Sequence, residues 1–103
     1  MEAIRIRIGA DTAGTIRYRA HVAQIGWMDW MYHNEVAGTT GRGLQMEAVE
    51  IQLTGDLATR FNVQYRAHVA GIGWQNWVAN GATAGTTGQQ RPVEALEIRI
   101  VPR

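Results

Sequence analysis

Apolar and polar residues alternate along this chain in short runs. Ile4, Ile6 and Ile8 alternate with Ala3, Arg5 and Arg7, and Val49, Ile51 and Leu53 alternate with Ala48, Glu50 and Gln52. Successive side chains of a strand point to opposite faces, so a period of two predicts strands with one buried face. IRYRAHV (16–22) and VQYRAHV (63–69) behave alike: Tyr18, Ala20 and Val22 fall on one face, and Arg17, Arg19 and His21 on the other. Twelve Gly, among them the AGTTG copies at 37–41 and 84–88 and the Asn80-Gly81 pair, punctuate these runs as turns do. No stretch suits a long helix. The connector TGDLATRFNV is the exception, with Asp56 expected to cap a single turn through Arg60. The first connector, GADTAGTIR, is two residues shorter and is expected to lack that turn.

A duplication organises the whole. YRAHVAQIGWMDW (18–30) returns as YRAHVAGIGWQNW (65–77), and residues 18–53 align with 65–100 without a gap. The strand MEAIRIRI (1–8) recurs as MEAVEIQL (46–53) and VEALEIRI (93–100), so the segment opens and closes on the same element. Repeats of this kind use one supersecondary unit more than once. Each unit is expected to need the EAxxI strand of the preceding one to complete its sheet. The expected fold is all-β: a compact antiparallel sandwich or barrel-like unit with an internal two-fold pseudo-repeat. One β domain spans 1–103, with a leading strand (1–8) and two repeats (about 9–53 and 54–100).

Composition narrows the function. At 103 residues the chain holds one small core, and four Trp supply area for it. Without Cys there is no disulfide, thiolate metal site or thiol nucleophile. Ten Arg against nine Asp and Glu give a net charge of +1 with no basic run, which argues against nucleic acid as a partner. The first residues alternate Arg with Ile, so no signal peptide or membrane-inserting segment is expected in them.

Trp27 and Trp30, like Trp74 and Trp77, stand three residues apart. In extended backbone that spacing sends the rings to opposite faces. The first Trp of each pair, after Ile-Gly, is therefore expected in the core, and Trp30 and Trp77 outside, where an indole can stack on a sugar ring. The bland alternative buries both. Arg19 and His21, with Arg66 and His68, share a polar face and could donate to a ligand, or form cross-strand ion pairs with Glu50 and Glu97. Each repeat offers one matching His and no second ligand at a recognisable spacing, so no metal site is expected. Strict alternation places Glu2, Glu47 and Glu94 on the core-facing rows, where each needs an Arg, a backbone N–H or water. A catalytic pair of carboxylates is the weaker reading, because the acidic residues repeat with the strand whereas an enzyme needs one asymmetric site. The AGTTG loops offer hydroxyls and N–H groups but lack the Lys of a phosphate loop, and turn geometry alone explains them.

YRAHV, IGWxxW, the Asn-Gly turn, AGTTG and EAxEI occur in that order, with GDLATRFNVQ ahead of the second copy. This combination resembles the ChW repeats, clostridial hydrophobic repeats with a characteristic Trp, over nearly the whole chain. The resemblance implies a non-catalytic module, without cofactor, from secreted or surface-attached bacterial proteins, its export signal outside this segment. The first repeat departs from the pattern where His33-Asn34 stands for Asn80-Gly81. The expected function is bivalent binding of cell-wall polysaccharide or peptidoglycan glycan through Arg19, His21, Trp27, Trp30 and Asn34 and through Arg66, His68, Trp74, Trp77 and Asn80. The alternative is an extracellular protein-interaction module, or a homodimer formed through edge strands.

Overall fold

The computed structural model describes residues 1–8 and 15–103. The expectation that the first connector lacks a helical turn falls on 9–14, outside the described residues. The strands are β1 (Ala3–Arg5), β2 (Ile16–Val22), β3 (Gly26–Trp27), β4 (Met31–Tyr32), β5 (Val36–Gly38), β6 (Met46–Leu53), β7 (Phe61–Val69), β8 (Gly73–Trp74), β9 (Val78–Ala79), β10 (Ala84–Gly85) and β11 (Val93–Pro102). Among the described residues a single helix, α1 (Asp56–Arg60), precedes β7. Asp56 is not its cap: the N-cap is Gly55, at φ 62°, and Asp56 is the first helical residue. Only glycine adopts that backbone without strain, which decides the helix start.

Every pairing is antiparallel, and the all-β, twice-repeated architecture follows the alternation in the sequence. In each repeat the Tyr-Arg strand lies at the centre. β2 pairs with β6 along one edge and with β3 and β4 along the other, and β7 pairs likewise with β11, β8 and β9. The predicted faces hold: Ile16, Tyr18, Ala20 and Val22 are buried, as are Val63, Tyr65, Ala67 and Val69, while the Arg and His between them are half-buried. Val49, Ile51 and Leu53 join the same core, and Ile4, Ile6 and Ile8 pack against it. Burying such a side chain stabilises by about 1.5–3 kcal/mol, so this cluster holds the domain without disulfides.

The repeats are joined by their EAxxI strands. β5 pairs with β1, and β10 pairs with β6, so the Ala-Gly strand of each repeat closes on the EAxxI strand ahead of it in the chain. The expectation that the preceding EAxxI strand completes the unit's sheet is corrected: the Tyr-Arg strand pairs with the EAxxI strand of its own repeat, and the preceding one meets only the Ala-Gly strand, outside that sheet. Glycine is required at this joint. Gly38 sits at φ +101°, and a Cβ there would lie 2.4 Å from the Glu2 carbonyl oxygen; at Gly85, φ +104°, it would lie 2.3 Å from the Glu47 carbonyl oxygen. Tyrosine fastens the same joint. The Ile6 N–H donates to Tyr18 Oη at 3.0 Å and the Ile51 N–H to Tyr65 Oη at 3.0 Å. The hydroxyls in turn donate to the carbonyls of Glu35 and Ala82. Burial raises the Tyr65 phenol above its ordinary 10.0; the Ile51 and Gly81 backbone bonds draw it partly back down, and the nearby Glu50 charge adds to the rise.

Candidate functional site

Two bulges overturn the face assignments that simple alternation made for Trp and Glu. On β2, His21 stands opposite Trp27 and Tyr18 opposite Met31. Four steps along the Trp segment thus match three along β2, and the extra residue reverses the parity between the two Trp. Trp27 follows the His21 face; Trp30, next to the inward Met31, lands on that same face. The second repeat shows the same offset, with His68 opposite Trp74 and Tyr65 opposite Val78. The expected core position of Trp27 and Trp74 is therefore wrong: Trp27 is half-buried, Trp74 is 43% exposed, and both pairs lie over the polar side of the central strand.

The second bulge moves the glutamates. β2 and β6 shift register between His21 and Val22, passing from Ala48 to Met46 and leaving Glu47 as the extra residue. Glu94 is skipped in the same way between Val93 and Ala95. Each carboxylate turns out of the core row toward the histidine. Glu47 Oε1 lies 3.0 Å from His21 Nδ1, and Glu94 Oε1 lies 2.9 Å from His68 Nδ1. A carboxylate only accepts, so Nδ1 carries the proton and Nε2 is left for another partner.

Together these shifts build one continuous row on each repeat. In the first, the Arg17 guanidinium stands 4.4 Å from the Trp30 ring centre, and Arg19 stands 4.8 Å from Trp30 and 4.6 Å from Trp27. His21 meets Trp27 edge-on at 5.2 Å and ends the row at Glu47. In the second, Arg99 lies 4.0 Å from Trp77, Arg66 lies 5.0 Å from Trp77 and 4.7 Å from Trp74, and His68 meets Trp74 at 5.2 Å before Glu94. Guanidiniums over indole faces are attracted by the ring quadrupole, worth about 0.5–1 kcal/mol each at exposed sites. The cross-strand ion pairs weighed for Arg19 and Arg66 are also present, to Glu50 and Glu97.

The terminal arginine of each row comes from a different strand. Arg17 is on β2 and donates to Gln52 Oε1 of β6 at 2.7 Å, whereas Arg99 is on β11 and donates to Gln64 Oε1 of β7 at 2.6 Å. Arg17 faces Gln52 in register, and Gln64 faces Arg99. The pair is inverted between repeats, yet both guanidiniums rest on the second Trp. The matched strands IRYRAHV and VQYRAHV set Arg17 against Gln64, and the gapless repeat alignment sets Gln52 against Arg99; knowledge of the strand pairing was needed to see that the two differences compensate.

Asn34 and Asn80 serve the turns. Asn80, at φ 48°, accepts from the Val63 N–H at 3.1 Å and donates to Asn62 at 3.0 Å. Asn34, at φ 68°, takes the left-handed position that Gly81 occupies in the second repeat. Its N–H donates to the Ile6 carbonyl as that of Gly81 does to Ile51. Neither joins the Arg–Trp row by a hydrogen bond. Beyond Glu47 the first row meets a pocket of about 290 Å³ lined by Ala23, Gln24, Gln45, Gln90 and Pro92 as well as Glu47. Its glutamines occupy positions filled by Gly71, Pro92 and Gly43 in the other repeat, so this feature is not duplicated, and a search for repeated motifs passes over it.

Comparison with known families decides the class of these units. The family model described as Clostridial hydrophobic W, ChW, matches residues 21–55 and 68–102. The chain belongs to the ChW family. No curated protein and no solved structure matches it. Both ChW matches begin at the row histidine, His21 or His68, and take in the whole EAxxI strand that carries its glutamate partner. Tandem ChW repeats on an all-β frame fit a non-catalytic, surface- or wall-associated module.

Proposed function

We propose that the two ChW repeats bind bacterial cell-wall glycan along their Arg–Trp rows, on the cell surface or outside the cell. One observation carries this reading: the same row, guanidinium, indole, guanidinium, indole, imidazole, carboxylate, is built twice over the polar side of the central strand, its closing carboxylate buried at Glu47 and exposed at Glu94, although the strand supplying the first arginine differs. A core requirement would not fix that order of groups on a half-exposed face. The indoles offer apolar area to the C–H faces of a sugar, the guanidiniums offer donors, and His Nε2 with the carboxylate completes a hydroxyl-binding set. The guanidiniums already lie on Trp30 and Trp77, so sugar meets those rings beside an arginine rather than on a bare platform. In the first repeat the amide-lined pocket next to Glu47 extends the polar end of the row and suits the hydroxyl and amide groups of an amino sugar.

Two rows on one chain suit a polymer, because simultaneous engagement raises apparent affinity by roughly 10²–10⁴. The test is co-sedimentation with purified bacterial walls. The wild type is expected to pellet with the wall, and a folded Trp30→Ala, Trp77→Ala double variant is expected to stay in solution. Failure of the wild type to bind walls from several bacteria would overturn the proposal; retained binding by the double variant would remove the rows from it.

A further inference from the structure

The cavity beside Glu47 lies at the joint of the two repeats. Ala23, Gln24, Gln45 and Glu47 of the first repeat form one wall, and Gln90 and Pro92 of the second form the other. The Ala23 N–H donates to the Gln45 carbonyl at 2.9 Å, which sets the turn carrying Gln24 beside the entry to β6. The three glutamines are exposed and Glu47 is 5% exposed, so amides rim a cavity that has a carboxylate at its floor. Glu47 Oε1 is engaged by His21 Nδ1. Among the described residues Oε2 accepts no hydrogen bond, yet it is not sealed off as the unpartnered Thr39 and Thr86 hydroxyls are, so it opens to the cavity. Gln45 Oε1 already accepts from the Met1 N at 2.6 Å, whereas the side-chain amides of Gln24 and Gln90 hold no partner among the described residues.

Both unpartnered glutamines sit where the other repeat has glycine. Gln24 is at φ 70° and Gln90 at φ 55°, in the left-handed region, and their counterparts are Gly71 at φ 78° and Gly43 at φ 68°. The other non-glycine residues with this backbone among the described residues are Asn34 and Asn80, whose short amides suit it. A glutamine side chain is too long for that local support, so each is held at a cost in backbone energy, and the two converge on one cavity. We infer that this joint cavity binds a primary ammonium group, with Glu47 Oε2 as its counter-charge and the side-chain carbonyls of Gln24 and Gln90 as further acceptors. The lining residues include no cation, and the proton on His21 Nδ1 is already directed at Oε1. An ammonium brings three N–H donors and a positive charge; an acylated amine brings one N–H and no charge. At about 290 Å³ the cavity stands at the small end of ligand sites and takes one sugar ring or one side chain. On the glycan reading, on which the sugar but not the ammonium rests, the occupant is an amino sugar whose amine is unacylated, lying at the Glu47 end of the first row.

The probes are glucosamine, N-acetylglucosamine, glucose and Nα-acetyl-lysine amide, titrated into the whole chain and followed by NMR at the side-chain amides of Gln24 and Gln90. Glucosamine is expected to shift both amides with a dissociation constant on the order of millimolar, as its size allows. N-acetylglucosamine and glucose are expected to bind roughly tenfold or more weakly, the worth of one hydrogen bond to a charged group. The lysine probe separates the sources of the amine: binding as tight as that of glucosamine keeps the ammonium site and withdraws the sugar, and weaker binding keeps both. Glu47→Gln is expected to abolish the preference for glucosamine over N-acetylglucosamine. A Gln24→Gly, Gln90→Gly variant keeps Glu47 and its bond to His21 and gives both positions the residue their counterparts carry. It is expected to melt no lower than the wild type and to bind glucosamine roughly tenfold or more weakly. Equal binding of glucosamine and N-acetylglucosamine by the wild type would overturn the inference, whatever the wall-binding assay gives. So would the absence of binding by either amine, or glucosamine binding that both variants leave unchanged.

Discussion

The inverted Arg/Gln pair makes a quantitative prediction. Arg99→Gln removes the guanidinium 4.0 Å from the Trp77 ring and its bond to Gln64. The stacking loss is about 0.5–1 kcal/mol at such an exposed site. Gln64→Arg alone keeps Arg99 but sets a second guanidinium directly across the strand from it, a like-charge pair that costs about 0.2–1 kcal/mol. If the row needs one guanidinium and one amide in either order, the Gln64→Arg, Arg99→Gln double variant recreates the arrangement of the first repeat. Its stability should then return to within about 0.3–0.5 kcal/mol of wild type, the scatter of independent sites, with a coupling energy near 1 kcal/mol. Urea unfolding followed by Trp fluorescence supplies all four corners of the cycle, provided the m-value stays constant. A double variant as unstable as the two single losses added together would refute the equivalence of the two rows.

Other expected outcomes concern the joint between repeats. Gly85→Ala should cost more than about 2 kcal/mol, since its Cβ meets the Glu47 carbonyl at 2.3 Å in a left-handed backbone. Gly88→Ala, also left-handed but with open space around it, should cost only about 1–2 kcal/mol; thermal melts of the two variants separate clash from strain. Tyr65 gives a pH signature. Its folded pKa lies above the ordinary 10.0, so above pH 10 the unfolded chain gives up this proton first and stability falls as pH rises. Tyr65→Phe should make that alkaline fall shallower while costing about 1–3 kcal/mol at neutral pH through the unpaired Ile51 N–H and Ala82 carbonyl. An unchanged alkaline limb in urea titrations would remove Tyr65 from the account.

Much of this was legible in the chain. The period of two gave the buried faces of β2, β6 and β7, and the aligned repeats gave the unit, because burial on one face leaves its mark at every second residue. The site was only half legible. Arg19, His21, Arg66 and His68 fell on the polar face as expected, and the ion pairs of Arg19 and Arg66 were among the alternatives. Trp27, Trp74, Glu47 and Glu94 were misplaced because a bulge adds one residue to one strand only, and a single sequence carries no count of its partner. Arg17 and Arg99 were missed as row members for a related reason: neither repeats in its own column. The phenol bonds of Tyr18 and Tyr65 were hidden as well, since alternation places a side chain on a face but not its terminal oxygen against a neighbour.

The tyrosine joint has a kinetic consequence. The contacts that fasten one unit to the strand before it close short loops, 12 residues from Ile6 to Tyr18 and 14 from Ile51 to Tyr65. Within a unit, the ion pairs of the long ladder span 31 residues, from Arg19 to Glu50 and from Arg66 to Glu97. Closing the shorter loops costs about 0.7–0.8 kcal/mol less in entropy. During folding, a repeat can therefore grip its predecessor before its own sheet is complete. Cooperativity then follows neighbouring strands rather than the boundaries of the sequence repeat, and a cut between repeats would sever contacts that close before the long ladder of either unit instead of separating two independent folding units.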